Sequence, residues 1–188
     1  MATTINADNV TGGAIVTGDA SGVLALQSAG TTALTATSGN LTVAQKMTVV
    51  GTSSIAGLKI GDVLETATVS ATAATGTIDY DATTQAVLYY TSNASANWTV
   101  NFRGSSGTSL NTLMATGESL TVAFLVTQGA TAYYNSAVQV DGASVTPKYQ
   151  GGTAYAAGNA SSVDVYMYTI IKTGSAAFTV FTSQTKFA

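Results

Sequence analysis

The segment Ser119-Leu-Thr-Val-Ala-Phe-Leu-Val-Thr-Gln128 decides the fold class of this chain. Leu120, Val122, Phe124 and Val126 occupy every second position. Because successive side chains of a strand point to opposite faces, this period of two predicts a β-strand with one strongly apolar face. Similar alternation predicts further strands around residues 64–72, 77–81, 86–91, 98–103, 138–140, 143–145, 162–172 and 178–186. Their number and spacing predict an all-β head domain over residues 61–188, an antiparallel β-sandwich of the jelly-roll type.

Local signals fix two details of this sandwich. Asp141-Gly142 separates two short apolar runs, and its glycine supplies the positive φ that a tight two-residue hairpin needs. Pro147 places the second hairpin strand at a sheet edge, because proline cannot donate to a central ladder. The only helix we predict is a short turn at Leu110–Met114.

The composition excludes many kinds of chemistry. Charged residues make up 8% of the 188 residues, against roughly 25% in a typical soluble domain. The chain has no His and no Cys, so thiolate chemistry, Ser-His-Asp triads and His or Cys zinc sites are excluded. A net charge of −3 offers no basic patch for nucleic acid or anionic lipid. We therefore expect no nucleic-acid partner and no membrane insertion.

Carboxylates are the remaining candidates for chemistry. A glycosidase needs two of them across a cleft, and Asp79 and Asp81 lie on the same side of one predicted strand. With Thr83 they could hold a cation such as calcium, or they could form a solvated strand end, which we prefer. Asp141 is explained by its turn. The other candidates, Glu118 and Asp164, form no recognisable pair, so we expect neither enzyme activity nor a cofactor.

Aromatic residues mark a domain boundary. All nine Tyr, all five Phe and the one Trp lie at or beyond Tyr80. Residues 21–60 instead carry short runs of Val, Leu and Ile between Gly turns, at a spacing of roughly nine residues. Such short strands cannot build a core alone, so we expect three copies to wrap one axis and bury Leu24, Leu34 and Leu41 in a trimeric β-repeat shaft. The alternative is a flexible linker.

Residues 1–20 precede the first clear repeat and are predicted to be an attachment segment. Strands of this segment could add to a particle surface through main-chain hydrogen bonds. The apolar residues that would anchor it are Ile5, Val10, Ile15 and Val16. We find no secretory signal here, and the apolar stretches are shorter than the roughly 20 residues of a membrane-spanning helix. We expect a chain made in the cytoplasm.

Four tyrosines fall in the irregular part of the C-terminal region: Tyr133, Tyr134, Tyr149 and Tyr155. Exposed tyrosines can stack on sugar rings while their hydroxyls bind them, so a glycan-binding tip is one interpretation. Tyrosine is also common in subunit interfaces. We favour interface or core packing.

Two groups of segments carry a resemblance. Residues 19–35 and 38–43 look like repeats of tailed-bacteriophage fibre and other virion surface proteins. Residues 139–154, 163–173 and 178–187 resemble the end domain of virion structural proteins from marine, especially cyanobacterial, phages. Together they cover about a third of the chain. The resemblance transfers an assembly role and no catalytic residue.

The resemblance implies a homotrimeric fibre or decoration protein attached to the capsid or tail proteins of a virion, assembled in the host cytoplasm. The alternative is a receptor-binding module that recognises a host surface glycan. A third class, an enzyme degrading envelope polysaccharide, is disfavoured because no clear acidic cleft is predicted.

Overall fold

The computed structural model describes the backbone of residues 24–28, 31–37 and 40–43 and all of residues 63–188. The chain divides between Ile60 and Gly61 into two units. In the first unit, three strands form an antiparallel sheet in the order β1-β2-β3: β1 (Leu24–Ser28), β2 (Thr31–Thr37) and β3 (Asn40–Val43). The predicted attachment segment lies outside the described residues. The side chains of the three shaft leucines also lie outside the described part of the chain, so their burial stays a prediction.

The second unit is all-β, as predicted, with two sheets. Its elements are β4 (Ala67–Ala73), β5 (Gly76–Asp81), β6 (Val87–Ser92), β7 (Trp98–Arg103), α1 (Leu110–Leu113), β8 (Ser119–Thr127), β9 (Asn135–Val140), β10 (Ala143–Val145), β11 (Lys148–Tyr149), a 3₁₀ turn (Gln150–Gly152), β12 (Val163–Gly174) and β13 (Ala177–Phe187). One sheet has the order β10-β9-β7-β5, and the other has the order β11-β13-β12-β8-β6-β4.

The prediction of an antiparallel sandwich is wrong for much of this unit. From β4 to β9 the chain alternates between the two sheets, so each strand pairs in parallel with the strand two positions later. The six strands thus form a coil of three turns. Antiparallel pairing is confined to β9 with β10, β12 with β13, and β12 with β8. A period of two indicates which side chains share a face, but it is the same in parallel and antiparallel strands.

The predicted hairpin and helix are confirmed. Asp141 and Gly142 form the two-residue connection between β9 and β10, with φ values of 51° and 79°. The second hairpin strand lies at an edge of its sheet. Helix α1 begins after Ser109, whose hydroxyl accepts a hydrogen bond from the Thr112 amide at 3.0 Å.

The two sheets pack face to face around an aromatic core. Trp98 from the four-stranded sheet makes edge-on ring contacts with Phe124 and Tyr166 of the six-stranded sheet, at centroid distances of 5.9 and 5.6 Å. Phe102 meets Tyr168 across the same interface at 4.8 Å. These residues are all buried. Such pairs contribute roughly 0.5–1.5 kcal/mol each beyond the burial of their area.

Candidate functional site

Two of the four candidate tyrosines form one cluster. Tyr149 and Tyr155 meet edge to face with centroids 5.0 Å apart, and Tyr155 also packs on the buried Tyr166. The Tyr155 hydroxyl lies 2.7 Å from the Thr182 hydroxyl, and burial raises the pKa of Tyr155 to about 12. The contacts of Tyr155 are therefore those of a packing residue, while Tyr149 lies nearer the surface.

The other two tyrosines belong to the loop before β9. Tyr133 packs against the core, and its backbone forms two hydrogen bonds with the side chain of Gln128. The Tyr134 amide donates to the side-chain oxygen of Asn97 at 3.1 Å. Within residues 63–188 no ring contact joins this pair to Tyr149 or Tyr155. The four tyrosines are thus split between two places.

A groove of about 520 Å³ lies beside the first cluster, over the end of the six-stranded sheet. Its floor includes Met167 and Phe181, which are 39% and 45% exposed. Polar groups from the sheet and from the β11 turn complete it. The lining residues are Lys148, Tyr149, Gln150, Met167, Thr169, Phe181, Thr182 and Ser183.

The groove belongs to a larger surface, the outer face, which is the side of the six-stranded sheet opposite the core. Residues paired across neighbouring strands share a face, so the register defines its rows. One row runs Val69, Tyr89, Leu125, Val165 and Thr185, and the next runs Ala67, Val87, Ala123, Met167 and Ser183. Over β4, β6, β8, β12 and β13, no charged residue occurs on this face, but Lys148 of β11 pairs with Phe181 and therefore lies on it.

The two aspartates of β5 pair with a basic side chain of the neighbouring strand β7. Arg103 forms ion pairs with both Asp79, at 2.7 Å, and Asp81. Asn101 donates a further hydrogen bond to Asp79 at 2.7 Å. Among residues 63–188, no cluster of three or more potential metal-ligating side chains is present. The carboxylates of this strand end thus hold two parallel strands together.

Two further acidic candidates accept hydrogen bonds from backbone amides. Both carboxylate oxygens of Asp141 accept from the start of α1, at 2.6 Å from the Leu110 amide and 2.9 Å from the Asn111 amide. Glu118 accepts from the Ala115 amide at 2.7 Å. Asp141 therefore joins the hairpin turn to the helix, a role that the turn signal alone did not reveal.

The fifth acidic candidate, Asp164, is the most buried of the five, which the alternation of its strand did not indicate. It is fully buried, and one carboxyl oxygen accepts from Gln128 Nε2 and from the Asn159 amide, both at 3.0 Å. In the described part of the chain, its other oxygen has no hydrogen-bond partner. Burial raises the pKa of Asp164. The charged form is therefore costly here.

Lys172 is a second buried charge. It is 8% exposed, and its Nζ donates to the carbonyl oxygens of Asn111 at 2.6 Å and Met114 at 2.8 Å. These carbonyls belong to the end of α1, where cations are favourable. Lys172 and Asp164 therefore each hold a neighbouring segment by hydrogen bonds, at opposite ends of β12.

The four predicted attachment residues, Ile5, Val10, Ile15 and Val16, lie outside the described residues. No family model matches this chain, and neither a curated protein nor a solved structure was found to match it. Helices with the length and hydropathy of a membrane span are missing from the segments that the structure describes.

Proposed function

We propose that this protein is a structural subunit of a phage virion, a homotrimeric fibre or decoration protein on the capsid or tail. The observation that supports an assembly role is the outer face, a broad sheet surface on which four large apolar side chains are exposed. Monomeric soluble proteins rarely leave patches larger than a few hundred Å² uncovered. The resemblance of residues 139–154, 163–173 and 178–187 to the end domain of virion structural proteins is the reason for proposing a virion as the assembly.

The acidic side chains of the sandwich support the same interpretation. Asp79 and Asp81 pair with Arg103, and Asp141 binds backbone amides. These groups are engaged in holding strands and turns together, which favours a structural role over hydrolysis. In this proposal a trimeric β-repeat shaft precedes the two-sheet head, and residues 1–20 attach the protein to the particle.

Particle incorporation tests the proposed function. Phage carrying a deletion of residues 2–20 should yield virions without this chain, while the purified variant keeps the circular dichroism spectrum of a folded sandwich. The intact protein should sediment near 56 kDa, three times the 18.8 kDa of one chain. A mass near 19 kDa at micromolar concentration, or virions that keep the truncated chain at full occupancy, would contradict the proposal.

A second candidate function is recognition of a host surface glycan. The groove favours it, because Tyr149 and Phe181 offer aromatic surface beside the amide of Gln150. The two candidate functions differ in whether the groove is accessible. In an assembled subunit the groove is covered, whereas glycan recognition needs it to be open. Binding of host-envelope oligosaccharides should fall on Tyr149→Ala and persist on Tyr134→Ala if recognition is the function.

A further inference from the structure

We propose that the outer face of the six-stranded sheet is covered by further copies of this same chain, packed around a threefold axis. This inference rests on the proposed homotrimer and assigns its contact surface on the sandwich. It concerns the described head, whereas the sequence analysis placed trimerisation in the shaft alone.

The first argument is the distribution of exposed apolar side chains. Four large ones lie on this single face: Val69 at 64% exposed, Met167 at 39%, Phe181 at 45% and Phe187 at 56%. Together they expose on the order of 400 Å² of apolar surface. Half-buried Tyr89, Leu125 and Val165 lie between them. A specific interface buries about 800 Å² per partner, so these side chains alone supply about half of it.

The second argument is charge. The chain carries a net charge of −3, so two copies that meet elsewhere risk bringing carboxylates together. On the five long strands β4, β6, β8, β12 and β13, the charged side chains Asp164, Lys172 and Lys186 all fall on the opposite side from Met167. On β11 the exposed Lys148 pairs with Phe181, so the one charge that the six strands place on this face is positive. Because the face carries no carboxylate, identical acidic chains can approach through it without bringing carboxylates together.

The third argument is size. Five neighbouring strands at roughly 4.8 Å spacing make a surface about 19 Å wide. Three such surfaces arranged as a triangular prism stand about 5.5 Å from the central axis, which is close to half the roughly 10 Å that separates packed sheets. Side chains of ordinary length therefore fill the space between three copies. The geometry suits three copies better than a small ligand on a flat sheet.

The absence of cysteine from the chain gives a direct test. Met167→Cys places a thiol in the middle of the outer face, and Thr77→Cys places one on an exposed position of β5 in the other sheet. Full-length variants are labelled with a maleimide under native conditions at micromolar concentration. We expect the Met167→Cys protein to react at about one tenth of the rate of the Thr77→Cys protein, or more slowly still. In denaturant the two proteins should react at the same rate.

A charge on the face supplies the complementary measurement. Adding Phe181→Lys to the Met167→Cys protein should restore fast labelling, since each new lysine would be buried against a neighbouring copy, beside the like charge of Lys148. The matched control, Thr77→Lys added to Met167→Cys, should leave the protection intact. Circular dichroism checks that both double variants are folded.

Three results would overturn the inference. Equal labelling of Met167→Cys and Thr77→Cys in a 56-kDa protein places the trimer contact elsewhere and leaves the proposed function standing. Equal labelling in a 19-kDa protein removes the trimer itself. Protection of Met167→Cys that arises only on adding host-envelope oligosaccharide assigns the face to glycan recognition instead.

Discussion

Gly158 lies so close to Tyr133 that a Cβ atom on Gly158 would overlap the Tyr133 carbonyl oxygen. The same Cβ would come within 2.7 Å of the Asp164 carboxylate. The loop after the 3₁₀ turn is thereby pressed onto the loop before β9, with the buried carboxylate between them. The residues that fix this end of the sandwich are therefore a glycine and a hydrogen-bond network, which no apolar pattern reveals.

Replacing this glycine should be costly. Gly158→Ala must displace backbone atoms, so we expect the free energy of unfolding to fall by roughly 3 kcal/mol. Gly174→Ala is the matched control, because its Cβ would lie at an ordinary 3.6 Å from Ala177. Urea denaturation of both variants measures the difference. Equal stability of the two variants would show that the loops do not pack as described.

Asp164 should make stability depend on pH. Burial raises its folded-state pKa above the unfolded value of about 3.9, so the folded state holds the proton more tightly. The protonated Asp164 side chain therefore makes its full contribution to the free energy of unfolding below about pH 4, and this contribution is lost as pH rises through the folded-state pKa. Asp164→Asn should therefore be more stable than the parent at pH 8, with the gap shrinking toward pH 4.

Thermal melts from pH 4 to pH 8 measure this gap. Glu118→Gln, at an exposed position, controls for the loss of one negative charge. A gap that stays constant over this range would contradict the assignment of the pH dependence to Asp164.

Lys172 should stabilise the short helix. Lys172→Met keeps much of the side-chain volume but removes the donor to the Asn111 and Met114 carbonyls, so we expect a loss of about 1–3 kcal/mol. Lys148→Met, at an exposed position, should change stability by less than about 0.5 kcal/mol. Chemical denaturation of both proteins tests the difference, and equal losses would rule out this role.

The hairpin turn offers a test of backbone conformation alone. Neither Gly142 nor Gly107 has an atom within 4 Å of an added Cβ, but only Gly142 has a positive φ, at 79°. Gly142→Val should lose roughly 1–2 kcal/mol, and Gly107→Val should lose less. A shared melting temperature would mean that the turn tolerates a β-branched residue.

The positions of the strands, and for many strands the side chains that share a face, could be predicted from the sequence, because apolar residues occupy every second position of β7 and β8. Strand direction could not be, since parallel and antiparallel strands have the same period. The buried face of β12 was equally hidden. Val165 and Met167 alternate with Asp164 and Tyr166, and apolarity alone does not decide which pair faces the core. The buried pair is the one whose tyrosine packs on Trp98 and whose aspartate accepts a hydrogen bond from Gln128, and both partners are known only from the folded structure.

The three-turn coil has a consequence for the nascent chain. As the ribosome releases β6, β7, β8 and β9 in turn, each finds its parallel neighbour already made, so winding can proceed vectorially. Strand β8 pairs with β6 on one edge, but the neighbour on its other edge is β12. That second edge therefore stays unpaired until β12, which starts at Val163, has left the ribosome. A pause in translation before that point would leave a nine-residue edge strand open to aggregation or to capture by a chaperone.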